Sequence, residues 1–317
     1  LRFENYCLPL QALAISVIMQ TYNNEGNPMT YGAEDRSKPL ARVMMRAPGP
    51  AMAAADPAQW HYGPQFNPAR AEVQHAELAA IVAASGADIH WVPSADDGLS
   101  DAIFVQDPSF VTRAGAVILN MGKPLRQAEP DLHVANYAAL NVPVIGQLTG
   151  DATIESGDCV WIDPNTLAIG RGARSNQAGI DAVAAILAPH GMTVQAYDLP
   201  YWTGPEACLH LMSMVSPLAP KMALIHAPLL PYALWADLTA RGWTLLHAPE
   251  DEFEASNGLS LNVLMLSPQD VVMVDGFPKT RALMEANGCR VQVFQGDALC
   301  IACEGGPTCL TRPVLRA

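Results

Sequence analysis

Basic residues are scarce in this chain: 18 Lys and Arg stand against 31 Asp and Glu in 317 residues, a formal charge of −13. No segment gathers the cations into a stripe that would release counterions from a phosphate backbone, so a nucleic-acid partner is not expected. Long apolar runs are also missing. The longest candidate near the start, Leu8–Met19, is a mostly apolar run of twelve residues. That is too short to span a bilayer, and it lacks the basic flank and small-residue cleavage site of a signal peptide. No membrane association is expected.

The cysteines do not form a disulfide framework. There are seven, Cys7, Cys159, Cys208, Cys289, Cys300, Cys303 and Cys309, an odd number spread over a long chain, which suits a reducing cytoplasm better than secretion. Cys300 and Cys303 make a CxxC with Cys309 six residues on. No fourth ligand stands at a zinc-like spacing, so neither a metal nor any other cofactor is expected, although metal or redox use is the rival reading of these thiols. What is plentiful is apolar material: half of the residues are hydrophobic and only 15% are charged. Such a chain buries a large core and is not disordered.

The apolar residues are organised in a repeat. Five times, an amphipathic helix ends at a turn residue and a short β-type run follows; the turn residues are Gly86, Asn141, Gly191, Gly242 and Gly288, spaced 55, 50, 51 and 46 apart. Asn67-Pro68 opens the first helix with a cap and a proline at the first helical position, and Asn176 can cap the third. Ile180, Val183 and Leu187 share one face at spacings of three and four. Hairpin-like pairs follow, over Ser109–Leu119 and Val160–Ile169.

A unit of about 50 residues with a helix and a few strands cannot bury its own apolar face, so the copies must pack on one another. Five can close radially into an α/β propeller with fivefold pseudosymmetry; an open α/β sheet is the alternative. The pattern starts near Arg42, which divides the chain into an N-terminal extension, residues 1–39, outside the core, and a single catalytic domain, residues 40–317. Residues 1–28 are expected to be dispensable.

Candidate chemistry falls in the loops after the turn residues. Asp107 lies 21 residues after Gly86, Glu155 lies 14 after Asn141, His210 lies 19 after Gly191, Asn257 lies 15 after Gly242 and Cys309 lies 21 after Gly288. Radial closure would bring two carboxylates, a histidine and a cysteine to one pocket. The run Glu304-Gly-Gly-Pro-Thr-Cys309 is the strongest single signal, because paired glycines let backbone approach a ligand and fix the thiol in an irregular turn. A cysteine so placed becomes a nucleophile when a base or a positive charge favours its thiolate. Taken alone, His210 reads more readily as a core residue, and Glu155 can be read as a turn cap.

These segments resemble the guanidine-modifying superfamily, and within it the dimethylarginine dimethylaminohydrolases. The resemblance runs from about Arg42 to Arg312 and rests on Asp101-Ala-Ile-Phe-Val-Gln-Asp107, Arg126-Gln-Ala-Glu129, Ile154-Glu-Ser-Gly-Asp158, Gly172-Ala-Arg-Ser-Asn176 with Leu209-His-Leu211, and Gly305-Gly-Pro-Thr-Cys309. It implies a five-bladed α/β propeller and no cofactor. It also implies Cys309 as nucleophile, His210 as acid and base, and Glu155 as the carboxylate orienting His210.

By the same resemblance Asp107 pairs with the substrate guanidinium, Asp101 and Phe104 lie nearby, and Arg126 and Arg174 receive the substrate's α-carboxylate. The expected partner is a small guanidino substrate, with a homodimer as a further expectation. Gln106 departs from the family pattern, as does Gln127-Ala128. Met212 stands two residues after His210, where arginine deiminases of the superfamily carry an aspartate; it is expected to form an apolar wall beside the leaving nitrogen and to favour an alkylated guanidine. Arginine deiminase or amidinotransferase chemistry is the rival activity, and a catalytically silent guanidino-binding protein the rival of another class.

Overall fold

A computed structural model describes residues 29–205, 207 and 209–317. It is a mixed α/β structure of five three-stranded sheets. In chain order, β1 (Leu40–Met45) runs parallel to β2 (Asp88–Trp91), and β3 (Ser109–Thr112) turns back antiparallel into β4 (Gly115–Ile118), which runs parallel to β5 (Val144–Gln147). The pattern recurs in β6 (Cys159–Asp163), β7 (Thr166–Arg171) and β8 (Thr193–Asp198), and in β9 (Val215–Ala219), β10 (Met222–Ile225) and β11 (Thr244–His247). It recurs again in β12 (Leu264–Ser267), β13 (Asp270–Val274) and β14 (Arg290–Phe294). The first sheet is completed from the far side of the sequence by β15 (Arg312–Arg316), antiparallel to β1.

Each parallel step is bridged by a helix. These are Pro68–Ala84, Glu129–Ala139, Gln177–Leu187, Tyr232–Ala240 and Pro278–Ala286. Their beginnings and ends follow the sequence: the Asn67 and Asn176 side chains accept from the backbone N–H of Arg70 and Gly179, at 3.0 and 2.8 Å. All five turn residues adopt the left-handed conformation, with φ between 55° at Asn141 and 93° at Gly86, the geometry that ends a helix. Ile180, Val183 and Leu187 are buried against Phe110, Ile154 and Trp161 of the preceding and same units. Each such side chain contributes about 1.5–3 kcal/mol of burial, which is why no unit stands alone.

Of the expected extension, residues 1–28 lie outside the described residues. The rest of it, residues 29–39, packs on the sheet, which corrects its placement outside the core. The Gly32 N–H donates to the Val314 carbonyl at 2.8 Å, and the buried Glu34 carboxylate accepts from the Arg113 backbone at 2.9 Å. The sequence reading set the boundary too late because this segment is mostly polar and has no helical or strand period. No helix among the described residues is long and apolar enough to cross a membrane.

Candidate active site

Four of the candidate residues occupy equivalent places in four of the five units, just ahead of a strand. Asp107 is two residues before β3 at 109, Glu155 four before β6 at 159, His210 five before β9 at 215, and Cys309 three before β15 at 312. Short turns at Ser156–Asp158 and Leu211–Ser213 follow Glu155 and His210 directly. Eight of the residues singled out in the sequence, Cys309, His210, Glu155, Asp107, Asp101, Phe104, Arg126 and Arg174, line one cavity of about 430 Å³.

At its floor the His210 imidazole Nε2 lies 2.9 Å from Glu155 Oε2. Burial disfavours the imidazolium, but Asp158, the Glu155 hydrogen bond and Asp107 outweigh it and raise the His210 pKa. Burial likewise opposes ionisation of Glu155, yet His210, with Arg126 and Arg174 nearby, holds its carboxyl below the ordinary range. The two form an ion pair. Its position is set from behind. Asp158 accepts from the Leu211 N–H at 2.9 Å and from the Ser175 hydroxyl at 2.6 Å, while Ser175 Oγ accepts from the Glu155 N–H at 3.2 Å. Gly157 admits the ring: a Cβ there would stand 2.5 Å from His210 Nδ1.

The Cys309 thiol is pushed up to about 11, chiefly by burial and then by Asp107. It is protonated at rest. Opposing this, the Asn262 side-chain amide donates to Sγ at 3.1 Å, and its oxygen accepts from the Thr308 N–H at 3.0 Å. The paired glycines find their reason here, since a Cβ on Gly305 would sit 2.2 Å from the Phe104 ring and one on Gly306 would sit 2.5 Å from Asn262. Asn262, two residues before β12, thus takes the place expected for Asn257. Asn257 instead reaches Glu304 on the surface, at 3.1 Å.

Two further placements bear on the expectations. Arg126 has all three guanidinium nitrogens engaged: Nε and Nη2 donate to Glu129 at 2.9 and 2.8 Å, Nη2 also to the Phe104 carbonyl, and Nη1 to Asp107 at 2.7 Å. One Nη1 N–H of this cavity-lining residue remains for a substrate. Arg174 is different, for its Nε is buried without a hydrogen-bond partner and its Nη1 lies 3.9 Å from Glu155. Met212, expected beside the leaving nitrogen, faces away from the cavity with Gln106, whose Nε2 lies 3.8 Å from its sulfur. The apolar wall is therefore not Met212.

Sequence reasoning also passed over a cation. Lys123 Nζ donates to Asp101 at 2.7 Å and lies 5.4 Å from the centre of the Trp60 ring; Tyr62 donates to the other Asp101 oxygen at 2.8 Å. The Lys123 N–H also caps Glu155 Oε1 at 3.0 Å. Among the described residues, no group of three or more His, Cys, Asp or Glu is placed to hold a metal. Cys300 lies in the apolar core, and Cys303 borders the cavity.

Comparison with known proteins bears on this arrangement. Residues 92–230 match the family model for arginine deiminase. Two dimethylarginine dimethylaminohydrolases are similar along most of the chain. The Streptomyces coelicolor protein is 28% identical over 284 residues, covering 86% of this chain and 96% of its own length. The Pseudomonas aeruginosa protein is 25% identical over 244 residues, covering 77% and 88%. The chain is thus similar to the dimethylarginine dimethylaminohydrolases along most of its length and to arginine deiminase over its middle. A solved dimethylarginine dimethylaminohydrolase from Pseudomonas aeruginosa, complexed with citrulline, shares the fold with a TM-score of 0.70 at 20% identity, over 87% of this chain and 99% of the other.

Proposed function

We propose that this guanidine-modifying hydrolase cleaves a C–N bond of a methylated arginine, giving citrulline and methylamine or dimethylamine. The observation that carries the proposal is the convergence of a cysteine thiol, a His–Glu pair and a buried carboxylate, from four units, on one cavity. The same convergence, with β15 closing onto β1, supports reading the five sheets as blades of a closed α/β propeller formed by one catalytic domain.

Each group has a task. A guanidinium carbon is electrophilic when its charge is held in place and one nitrogen is made to leave. Asp107 retains lone pairs beyond those given to Arg126 and the Gly157 N–H, and holds the cation. Arrival of that cation beside Sγ favours the thiolate, whose proton passes to solvent. The thiolate adds to the carbon, His210 imidazolium protonates the departing amine, the C–N bond breaks, and a thiouronium remains on Cys309. Water then adds to that carbon, giving a proton to neutral His210. The C–S bond breaks, releasing the ureido product and the sulfur, which takes back a proton. Arg174 receives the α-carboxylate, and the Phe104 ring and Trp60 supply apolar wall for N-methyl groups.

Arginine deiminase or amidinotransferase chemistry uses the same groups and differs in the leaving nitrogen or in the acceptor. Incubation with arginine, mono- and dimethylarginine, followed by product identification by mass, separates them: the methylated substrates should have the higher kcat/KM. Preference for arginine, or transfer of the amidino group to an amine, would replace the proposal. Cys309→Ser should leave no measurable turnover with an unchanged melting curve; activity within about tenfold of wild type would remove the covalent step.

A further inference from the structure

Behind the nucleophile loop lies a second, much smaller cavity that the proposed reaction does not use. Its volume is about 30 Å³, and Arg36, Arg312, Arg316, Thr308 and Gln106 line it. The Gln106 N–H donates to the Cys309 carbonyl at 3.1 Å, so the cavity backs directly onto the cysteine segment. None of the three guanidinium groups hydrogen-bonds a carboxylate among the described residues. Arg312 donates to the carbonyls of Gln106, at 3.0 Å, and Ser109, and to the Ser156 hydroxyl at 2.9 Å. Arg316 donates to the carbonyls of Lys38 and Met265, at 3.1 and 2.8 Å.

Arg126, equally deep, has two carboxylates in direct contact. Here there are none. The Nε atoms of Arg36 and Arg312 and the Thr308 hydroxyl are buried without hydrogen-bond partners, and Arg312 and Thr308 are only 6% and 8% exposed. Burial, then mutual repulsion, lowers Arg36 to about 10 and Arg316 to about 9, and burial lowers Arg312 as well. Asp35 and Asp107 act on the cluster only through space. An uncompensated buried ion costs several kcal/mol.

We propose that this cavity binds one halide ion, chloride in solution, between the Nε–H groups of Arg36 and Arg312 with the Thr308 hydroxyl as a third donor. The cavity is small and admits a monatomic anion. A water would satisfy the N–H donors but leave the charge. The Gln106 side-chain oxygen, buried without a partner, is the one group in the cavity that prefers a water, and its dipole opposes three full charges. The ion ties residue 36 to strand β15 and to the residue preceding the nucleophile.

The test uses the full chain at constant ionic strength, with sodium gluconate replaced stepwise by chloride or bromide while the melting temperature is followed. A saturable rise of about 4 °C is expected at a hundred times the dissociation constant, and Arg36→Met should remove it. Bromide soaked into crystals should give an anomalous peak inside the cavity, a measurement that needs no variant. Equal melting in gluconate and halide, an equal rise with sulfate, or a cavity holding only water in the bromide crystal would each overturn the proposal.

Discussion

The amide of Asn262 donates to the Cys309 sulfur, which the Gly306 backbone N–H also favours as thiolate, and Asn262→Asp removes the side-chain donor. The substitution keeps the oxygen that accepts from the Thr308 N–H at 3.0 Å and replaces the donor, 3.1 Å from Sγ, by a second anionic oxygen. A hydrogen bond to a charged group contributes about 1.5–3 kcal/mol, which at about 1.4 kcal/mol per unit raises the thiol pKa by roughly one to two units above the value of about 11 that burial and Asp107 impose. Each unit cuts the thiolate tenfold at pH 8 and makes it roughly threefold more nucleophilic. Thiol–disulfide exchange with a small disulfide should therefore slow about 4- to 15-fold, with the modified residue identified as Cys309 by peptide mass. Asn257→Ala, whose side chain meets only Glu304 at the surface, should stay within about twofold. An Asn262→Asp protein that exchanges as fast as wild type would show that the amide does not govern the thiolate.

Gly157→Ala places a Cβ 2.5 Å from His210 Nδ1 and 3.0 Å from Asp107 Oδ1; it should cost about 1–3 kcal/mol of stability and at least about tenfold in kcat, read by calorimetry and steady-state kinetics. Asp158→Asn removes a negative neighbour that raises His210, so the imidazolium loses its proton at lower pH. The alkaline limb of the kcat profile, where the acid is lost, should move down in pH, and an unmoved limb would dissociate Asp158 from proton transfer. Arg174→Gln should raise KM for an α-carboxylate substrate about 10- to 100-fold and leave the same guanidine lacking the carboxylate nearly unaffected. Equal losses on both compounds would assign Arg174 to scaffolding of Glu155 instead.

Why some of this was legible in the sequence, and some not, follows from which interactions are local. Helix ends are local: Asn67, Asn176 and the five left-handed turn residues act within a few positions, so five units could be counted from the sequence. Because the units repeat, equivalent loops could be matched, and Asp107, Glu155, His210 and Cys309 do line one cavity. Asn257 failed through register. It lies 15 residues after Gly242, near the 14 of Glu155, whereas Asn262 lies 20 after it, near the 21, 19 and 21 of Asp107, His210 and Cys309; the offsets alone do not choose between the two. Arg126 and Met212 show a different limit. Their motif positions were right, but what they touch, Glu129 and Asp107 in one case and Gln106 in the other, is decided by side-chain direction across units. Lys123 and Ser175 sit beside recognised motifs and gave no signal of their own.

The pairing of β1 with β15 bears on how the protein is made. Leu40 is in register with Arg316 and Met44 with Arg312, so the first sheet joins strands separated by some 270 positions. A chain leaving the ribosome lays down Asp107, Glu155 and His210 in units that can pack on their neighbours as they emerge. The first unit must wait with an unpaired strand edge, a surface prone to pairing with other chains. Closing so long a loop makes this contact entropically slow. Cys309 comes only three residues before the strand that closes it. The reactive thiol thus enters its pocket in the same late step that covers the waiting edge, and an incomplete chain has no nucleophile seated beside the histidine.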